Sequence, residues 1–544
     1  MRTHYPRTRH LPWSPGATSD DVRVTDLGGL RGREVVVTEK LDGENTTLYR
    51  DGLHARSLDS AHHPSRTWVK ALQGRIGHAL PEGWRVCGEN MFARHSIAYE
   101  ELESYFYGFS VWDELGWCLD WDRTVRFLRD IGIPVPRVLW RGVFDERALR
   151  GLKQDPERQE GYVVRTADGF MAEEFGQRVA KWVRPCHVRT DTHWMHAAVV
   201  ENGIGPGAAL WDVRSGAPVD ARALGDGDTE AVARLDTGGR TGDDRLAGVM
   251  AALTHRERRA ALAPGLAPAL GLPLARRVAD LVGLQAGLHR PYPDDKRRAG
   301  LVRMSCAVDL DVLHAVAAAT ACTAQARDQV AWSALHAEEI GALDGLWEAF
   351  AGLGPDAAAR CVGEARRAYA DGRIASVEEA VAATWRWREG DFPRLIHMVG
   401  PSGSGKSTFA RALVGTDAYI SLDDIRGGRG SRADQKANGE VLRAGLDRLD
   451  SALAAGGTVV WDATSLNPQQ RSLVHAVAHR RDALTTHAVV LVGEDELLRR
   501  NATREHPVPA DVLTAQLHRF VPPYPGQAHR TWYIGRSGTV EEEA

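Results

Sequence analysis

The spacing of hydrophobic and polar positions divides the chain into three regions. Residues 1–190 contain short runs of β-branched and aromatic residues separated by turn residues, a pattern that predicts an α+β region. Residues 243–385 are rich in Ala, Leu and Arg with helical periodicity, which predicts an all-α module. From Phe392 onward an apolar strand, a glycine-rich turn and an apolar-periodic helix follow one another, so we expect an α/β domain there.

The length of 544 residues also favours several domains over one. A Gly/Asp-rich stretch separates the first region from the second and is typical of a connection. We therefore place a first domain at 1–195 and a linker with room for a short hairpin at 196–242. A helical domain at 243–388 and an α/β domain at 389–544 complete the prediction.

Composition excludes some classes of protein. The chain is 43% hydrophobic and 26% charged with a formal charge of −4, so a nucleic-acid site would need a local basic patch. Six cysteines form no C-x-x-C pair, which argues against a cysteine zinc site or a disulfide framework. The first residues lack a secretion signal, and the longest apolar run, Ala260–Ala275, contains three prolines. We expect a cytoplasmic protein that does not span a membrane.

A phosphate-binding loop begins the C-terminal region. Residues 400–407, "GPSGSGKS", match G-x-x-x-x-G-K-[ST] between an apolar strand and a helix. Glycines allow the backbone N–H groups to surround phosphate oxygens, Lys406 reaches the β- and γ-phosphates, and the Ser407 hydroxyl binds Mg²⁺. The predicted nucleotide-binding residues here are Gly400, Gly403, Gly405, Lys406, Ser407 and Thr408.

Three later stretches carry charged side chains that suit phosphoryl transfer. "AYISLDDIR" places Asp423 and Arg426 after a short strand, and "TVVWDATSLNP" ends a strand at Asp462. Arg500 and Arg504 are four residues apart, so they share a face if that stretch is helical. A strand-end acid can act as general base and arginines can neutralise phosphate charge, although each arginine by itself could be surface charge.

Together and in this order, these stretches resemble the phage-type polynucleotide 5′-kinase family over residues 392–535. The resemblance implies that Asp423 takes the proton from an RNA 5′-OH and that Arg426 holds the acceptor's 3′-side phosphate. It implies that Arg504, with Arg500, covers the ATP phosphates. Asp462 and Thr464 fall in the family's "D-x-T-x-L-N-P" region, where Ala463 separates an acid and a threonine that can be adjacent in the family.

A lysine in "VVVTEKLDGENTTLYR" raises two interpretations. Asp42-Gly43 is a good turn, so the stretch could be a surface hairpin. Alternatively, Lys40 is a nucleophile, and its acidic neighbours Glu39, Asp42 and Glu44 suit a nucleotide with Mg²⁺.

The K-x-D-G motif is the adenylation motif of the covalent nucleotidyltransferases, and "TEKLDGEN" resembles their RNA-ligase branch. Further motifs follow in the family's order: "HARS", "VCGENMF", "YFYGFSVWD", "EGYVVR" and "VAKWVR". The resemblance covers residues 1–195 and implies an ATP-grasp-like fold. The residues it singles out are Glu39, Lys40, Asn45, Arg56, Glu89, Phe109, Glu160 and Lys181.

The resemblance also implies roles for these residues. Lys40 would attack the α-phosphate of ATP and retain AMP, Glu89 would contact the ribose, and Phe109 would stack on adenine. Glu160 would help to bind Mg²⁺ or Mn²⁺, Lys181 would contact the α-phosphate, and Asn45 and Arg56 would contact phosphates or the RNA end. Many ligases carry K-x-K in the last motif. Here Lys181 is followed by Trp, Val and Arg184, so the second basic residue is left open.

The helical region resembles the HD phosphohydrolase fold, but its defining pair is missing because Arg256 follows His255. His289, Asp309 and His314 are candidate remnants of a metal site. A scaffold and a catalytic domain both stay open, and the arginine clusters suit either a solvated face or an RNA path.

The combined resemblance implies an RNA repair enzyme that phosphorylates 5′-OH ends and ligates 5′-phosphate to 3′-OH ends with ATP and Mg²⁺. RNA ends would be its substrate, and a separate protein could supply a 3′-end phosphatase. Two alternatives stay open: a capping-like or protein-modifying nucleotidyltransferase fused to a small-molecule kinase, and a non-catalytic RNA-end sensor.

Overall fold

The computed structural model describes residues 2–544 except 20, 59–61, 156, 186–197, 292, 341–342, 344, 429–437 and 505–506. The chain divides into two compact units. The first comprises Met1–Asp226 with Thr237–Leu246, and the second comprises Gly227–Asp236 with Ala247–Ala544. The three-domain boundaries derived from the sequence stay a prediction, and the end of the first predicted domain, with Cys186, lies outside the described residues.

The first unit contains two β-sheets with short helices. Its strands are β1 (Arg9–His10), β2 (Glu34–Lys40), β3 (Glu44–Tyr49), β4 (Gly52–Ala55), β5 (Arg85–Asn90), β6 (Phe106–Trp112), β7 (Trp117–Cys118), β8 (Val138–Val143), β9 (Gly161–Thr166), β10 (Phe170–Met171) and β11 (Val179–Val183). Its helices are α1 (Thr67–Ile76), α2 (Trp121–Asp130), α3 (Glu146–Arg150), α4 (Phe175–Arg178), α5 (Ala208–Arg214) and α6 (Ala221–Leu224). Short 3₁₀ turns lie at Pro64–Arg66, Gly77–Ala79 and Ala172–Glu174.

One sheet of this unit has the strand order β1-β11-β9-β2-β8, and the other has β10-β7-β6-β5-β3-β4. All neighbouring strands are antiparallel except β1 and β11. Val35, Val36 and Val37 are fully buried because β2 lies between β8 and β9. The valine run that precedes Lys40 is therefore the inner part of a sheet, which fixes the position of the lysine at the strand's end.

The second unit begins with helices. These are α7 (Thr229–Arg234), α8 (Gly242–Leu253), α9 (Arg259–Leu270), α10 (Leu272–Gln285), α11 (Asp294–Ser305), α12 (Leu310–Thr320), α13 (Ala324–Ala337), α14 (Leu346–Ala349), α15 (Pro355–Ala370) and α16 (Val377–Ala383), and the division between the units falls within α8. Further 3₁₀ turns lie at Ala286–His289 and Trp385–Trp387. The apolar run Ala260–Ala275 forms most of α9 and the start of α10, which meet at Gly271 with φ 78°.

The C-terminal part is a mainly parallel sheet flanked by helices. Its strands are β12 (Arg394–Val399), β13 (Ala418–Ser421), β14 (Thr458–Asp462), β15 (Leu484–Val490), β16 (Arg530–Ile534) and β17 (Val540–Glu543) in the order β13-β14-β12-β15-β16-β17. Its helices are α17 (Lys406–Ala412), α18 (Leu422–Gly427), α19 (Asn438–Ala454), α20 (Pro468–Arg480), α21 (Glu494–Ala502) and α22 (Ala510–Arg519). Only β17 runs antiparallel among the described strands of this sheet.

The predicted fold class is confirmed: an N-terminal α/β part, a helical middle and a C-terminal α/β part with a parallel sheet. In the described part of the linker predicted at 196–242, the regular elements are the short helices α5, α6 and α7 and the start of α8. Asp220 and Asp228 cap the N-termini of α6 and α7 with their carboxylates, which favours helices over the hairpin. Among the described residues, no helix combines the length and the apolar character that crossing a bilayer requires.

Candidate active sites

A cavity of about 1340 Å³ lies in the first unit, lined by residues of both sheets. All eight residues that the nucleotidyltransferase resemblance singled out line it: Glu39, Lys40, Asn45, Arg56, Glu89, Phe109, Glu160 and Lys181. The pairing of β2 with β9 and of β3 with β5 brings these positions together across more than 140 residues of sequence. The cavity is large enough to enclose a nucleotide.

Lys40 contacts a carboxylate that is distant in sequence. As the last residue of β2 it pairs with Gly161 of β9, which places it beside Glu160. Its Nζ lies 2.5 Å from Glu160 Oε2, and the two side chains are 22% and 8% exposed. Burial by itself lowers the pKa of Lys40, but the carboxylates of Glu160, Glu89 and Asp42 outweigh it and the pKa is raised. In this state Lys40 is a paired ammonium.

Glu89 faces the same lysine from the other sheet, opposite Asn45 in the β3–β5 register. The cavity wall removes most of its hydration and raises its pKa to about 8, with Glu160 and Asp42 adding to the rise and Lys40 opposing it. Several carboxylates thus share one lysine. Carboxyl oxygens are the ligands that Mg²⁺ or Mn²⁺ prefers, and the charge of such a cation would favour release of the proton that Glu89 keeps at neutral pH.

Two of the acids that flank Lys40 in sequence have other partners. The Asp42 carboxylate accepts hydrogen bonds from the backbone N–H groups of Ser96 and Ile97, at 2.8 and 3.0 Å. Glu44 forms a buried bidentate ion pair with Arg66. The main contacts of Asp42 and Glu44 therefore hold the loops around the cavity. Proximity in sequence did not identify the ion-pair partner of Lys40.

The remaining candidates lie around the cavity. Lys181 of β11 has a pKa lowered by burial and by the Lys40 charge, and Arg56 is exposed just beyond β4. Burial raises the pKa of Glu39, against the effects of Arg137 and Gln159. Arg184 is buried outside the cavity lining and donates its backbone N–H to the Glu160 carbonyl. Lys181 is thus the basic residue that β11 directs to the cavity.

An aromatic cluster that sequence reasoning missed surrounds the predicted adenine-stacking residue. The ring of Tyr5 lies 5.2 Å from the rings of both Phe109 and Phe175, in edge-to-face geometry. Tyr5 and Phe175 line the same cavity. The cluster joins residues 5, 109 and 175, and no local motif connects positions so far apart.

The phosphate-binding loop connects β12 to α17 in the second unit. Gly400, Gly403 and Gly405 have φ values of 150°, 80° and 101°, a region that favours glycine. The Lys406 Nζ is buried and donates to the Pro401 carbonyl at 2.8 Å. Burial lowers the pKa of Lys406 to about 8, with Asp462 and Asp423 opposing and Arg504 reinforcing the change. The side chains of Lys406, Asp423, Asp462 and Arg504, all predicted site residues, therefore lie close enough to interact electrostatically.

The acids of this site differ in exposure. Asp462, at the end of β14, is buried and accepts a hydrogen bond from the Tyr419 hydroxyl, a partner that the sequence did not indicate. Asp423, at the start of α18, is 76% exposed and lies 2.6 Å from Arg426. The backbone carbonyl of Thr464 accepts the Gly400 N–H at 3.0 Å, so Thr464 supports the loop through its main chain.

The two arginines of the predicted lid occupy different environments. Arg500, on α21, donates to Glu496 and to the backbone carbonyls of Ser404 and Arg536, at 2.7, 2.9 and 2.8 Å. Arg504 lies beyond the end of α21 and is exposed. Arg500 is thus engaged in holding the phosphate-binding loop, whereas Arg504 is accessible from solvent.

The residues predicted as remnants of an HD metal site each contact a different partner. His289 donates from its ring to the Ala317 carbonyl, Asp309 caps α12, and His255 contacts Asp228. His314 hydrogen-bonds to Leu310 and Ser333. In the part of the chain that the structure describes, these side chains do not gather into a metal-binding group.

Comparison with known proteins relates both ends of the chain to families. Residues 33–183 match the RNA ligase family model, and residues 395–523 match a family model described as AAA domain. A comparison with curated proteins finds no match.

Similar solved structures include the Pnkp1/Rnl/Hen1 RNA repair complex, 21% identical over 25% of this chain and 49% of that one, with a TM-score of 0.22. A Naegleria gruberi RNA ligase mutant with ATP and Mn is 19% identical over 29% and 52%, with a TM-score of 0.23. Chaetomium thermophilum Kti12 in complex with ADP-AlF3 is 17% identical over 26% and 89%, with a TM-score of 0.22. The chain spans about half the length of the RNA repair and RNA ligase structures.

The matched regions coincide with the two sites described above. The match at 33–183 contains Lys40, Glu89, Glu160 and Lys181, and the match at 395–523 contains the phosphate-binding loop. The chain thus carries an RNA ligase domain in its N-terminal part and a P-loop, kinase-like AAA domain in its C-terminal part.

Proposed function

We propose that the protein heals and seals broken RNA: the C-terminal domain phosphorylates a 5′-OH end with ATP, and the N-terminal domain joins that end to a 3′-OH. The observation that carries the proposal is the position of Lys40, whose amine lies against Glu160 inside a nucleotide-sized cavity rather than in solvent. A surface hairpin would leave that amine hydrated.

In the sealing reaction Lys40 is the nucleophile. Its neutral amine attacks the α-phosphorus of ATP, so a P–N bond forms, the P–O bond to pyrophosphate breaks, and the amine proton leaves to solvent. An oxygen of the RNA 5′-phosphate then attacks the phosphorus of this adduct, so a P–O–P linkage forms, the P–N bond breaks and Lys40 regains its amine. The 3′-OH of the other end attacks that activated phosphate, the phosphodiester forms, and AMP leaves.

The surrounding residues control the charge of the amine. Glu160 and Glu89 favour the ammonium form, which is inert as a nucleophile. A divalent cation bound at these carboxylates would neutralise them and favour the free amine. Glu160 and Glu89 offer the oxygen ligands, and Lys181 supplies positive charge for the α-phosphate.

In the healing reaction the phosphate-binding loop orients ATP, with Lys406 at the β- and γ-phosphates and Ser407 as a ligand of Mg²⁺. Asp423 accepts the proton of the RNA 5′-OH while the hydroxyl oxygen attacks the γ-phosphorus, and the P–O bond to ADP breaks. Arg426 binds the neighbouring RNA phosphate, and the exposed Arg504 closes over the transferred group. Asp462, held by Tyr419, and Thr464 shape the acceptor side.

The two reactions form a sequence, because the product of the first is the substrate of the second. A test uses a nicked RNA duplex with a 5′-OH and a 3′-OH at the break, incubated with the full chain, ATP and Mg²⁺. We expect a continuous strand with a 3′–5′ linkage, and no product without ATP. Sealing of 5′-phosphorylated RNA without phosphorylation of 5′-OH RNA would refute the healing half, and the converse would refute the sealing half.

A further inference from the structure

Three histidines meet inside the P-loop domain, away from the site described above. His397 of β12 and His487 of β15 are directly opposite each other in the parallel register, and His475 of α20 packs over them. Both strand histidines are fully buried. Inner strands of parallel sheets are normally apolar runs, so two facing histidines there need a reason.

The ring geometry resembles that of a metal site. One ring nitrogen from each histidine lies within 4.8 Å of the others, and the Nε2 atoms of His475 and His487 share a hydrogen bond of 2.8 Å, whose proton a metal ion would displace. Imidazoles bound to one tetrahedral zinc ion at about 2.0–2.1 Å would have ring centroids about 5.3 Å apart. The three observed centroid separations are 4.8, 5.5 and 5.7 Å.

The hydrogen bonding of the trio is incomplete among the described residues. The Nδ1 atoms of His397 and His487 are buried and have no partner there. A buried polar atom without a partner costs free energy, and a bound ion is one recognised explanation.

We propose that His397, His475 and His487 bind one Zn²⁺ ion. Mg²⁺ is excluded because it prefers oxygen ligands, whereas three imidazole nitrogens suit Zn²⁺. Three protein ligands leave a fourth position for water or hydroxide.

The site lies directly behind the phosphate-binding loop. His397 is three residues before Gly400, and its Nε2 lies 2.8 Å from the hydroxyl of Ser465. The residue before Ser465, Thr464, accepts the Gly400 N–H. Zinc would therefore join β12, β15 and α20 and support the loop from within.

The test measures zinc bound by the full chain after treatment with a chelator, reloading with Zn²⁺ and desalting. The variant is His475→Gln, and the matched control is His479→Gln, an exposed histidine one turn further along α20. We expect the wild type and the control to retain one more zinc per chain than His475→Gln. Zn²⁺ should also raise their unfolding midpoint by several degrees more than that of the variant.

Cobalt provides a readout that does not depend on the variant's folding. The wild type loaded with Co²⁺ should show the intense visible bands of a tetrahedral ion, and Zn²⁺ should abolish them. Equal zinc content in wild type and His475→Gln, or the absence of tetrahedral cobalt bands from the wild type, would overturn the proposal.

Discussion

The amine of Lys40 lies 2.5 Å from the carboxylate of Glu160, although 120 residues separate them in sequence. The contact joins the end of β2 to the residue before β9, two antiparallel neighbours in one sheet. With Glu89 and Asp42, Glu160 keeps the lysine in its ammonium form, because the three carboxylates together stabilise the positive charge more than burial destabilises it. Glu160, the proposed metal ligand, thus keeps Lys40, the proposed nucleophile, in its unreactive charged form.

Lys40→Ala should abolish covalent attachment of AMP to the protein, because the variant has no amine to form the P–N bond. Incubation with α-labelled ATP and Mg²⁺, followed by denaturing electrophoresis, measures the attachment. The matched control is Lys70→Ala, which removes an exposed lysine from α1 of the same unit and should keep full labelling. Equal labelling of wild type and Lys40→Ala would refute the assignment.

Glu160→Gln should lower the pKa of Lys40, since the neutral amide no longer stabilises the ammonium. The rate at which acetic anhydride modifies Lys40 in the nucleotide-free protein, followed by peptide mass spectrometry, reports the free amine. We expect its midpoint to move to lower pH by about one unit or more. Glu146→Gln, which removes an exposed carboxylate paired with Arg150, should leave the midpoint unchanged; an unmoved midpoint in Glu160→Gln would contradict the pairing.

Glu89→Gln should change how stability depends on pH. The folded pKa of Glu89, about 8, lies above its ordinary value of 4.5, so the folded state binds the extra proton and stability falls as pH rises through this window. The amide removes that penalty. We expect the free energy of unfolding of Glu89→Gln to gain on that of the wild type between pH 5 and 9, by an amount on the order of 4 kcal/mol. The matched control is Glu82→Gln, which removes an exposed carboxylate; its stability should depend on pH as that of the wild type does.

Lys406→Ala should separate the two activities. The variant loses the amine that binds the β- and γ-phosphates, so phosphorylation of 5′-OH RNA should fall by at least about 10²-fold. Sealing of RNA that already carries a 5′-phosphate should be unchanged, because Lys40 and its cavity belong to the other unit. Thin-layer analysis of labelled ends measures both reactions, and loss of both would contradict the separation.

Arg500→Gln and Arg504→Gln should impair different properties of the kinase-like domain: the first its ATP binding and stability, the second its turnover. Arg500 donates to the Ser404 carbonyl of the phosphate-binding loop, so its removal should weaken ATP binding and destabilise the domain by about 1–2 kcal/mol. Arg504 is exposed, so its removal should slow the turnover of the kinase reaction at saturating ATP and leave the unfolding midpoint unchanged. Steady-state kinetics and thermal unfolding distinguish the two; identical profiles would contradict the division of roles.

The sequence by itself determined the order of folds and the chemical groups at each site. The loop at 400–407 is recognisable because its backbone geometry depends on local glycines, three of which have positive φ. Lys40 and the residues of five later motifs, from Arg56 to Lys181, line one cavity in the structure, and the resemblance of those motifs to a known family had singled them out. Their catalytic roles stay predictions.

Only the tertiary structure decided which groups are partners. Asp42 and Glu44, beside Lys40 in sequence, contact backbone N–H groups and Arg66, while distant Glu160 contacts the lysine. The Tyr5 cluster and the three histidines of the P-loop domain were likewise invisible to motif reading. Sheet pairing and helix packing set these contacts, and both depend on side-chain burial across the whole domain rather than on neighbouring residues.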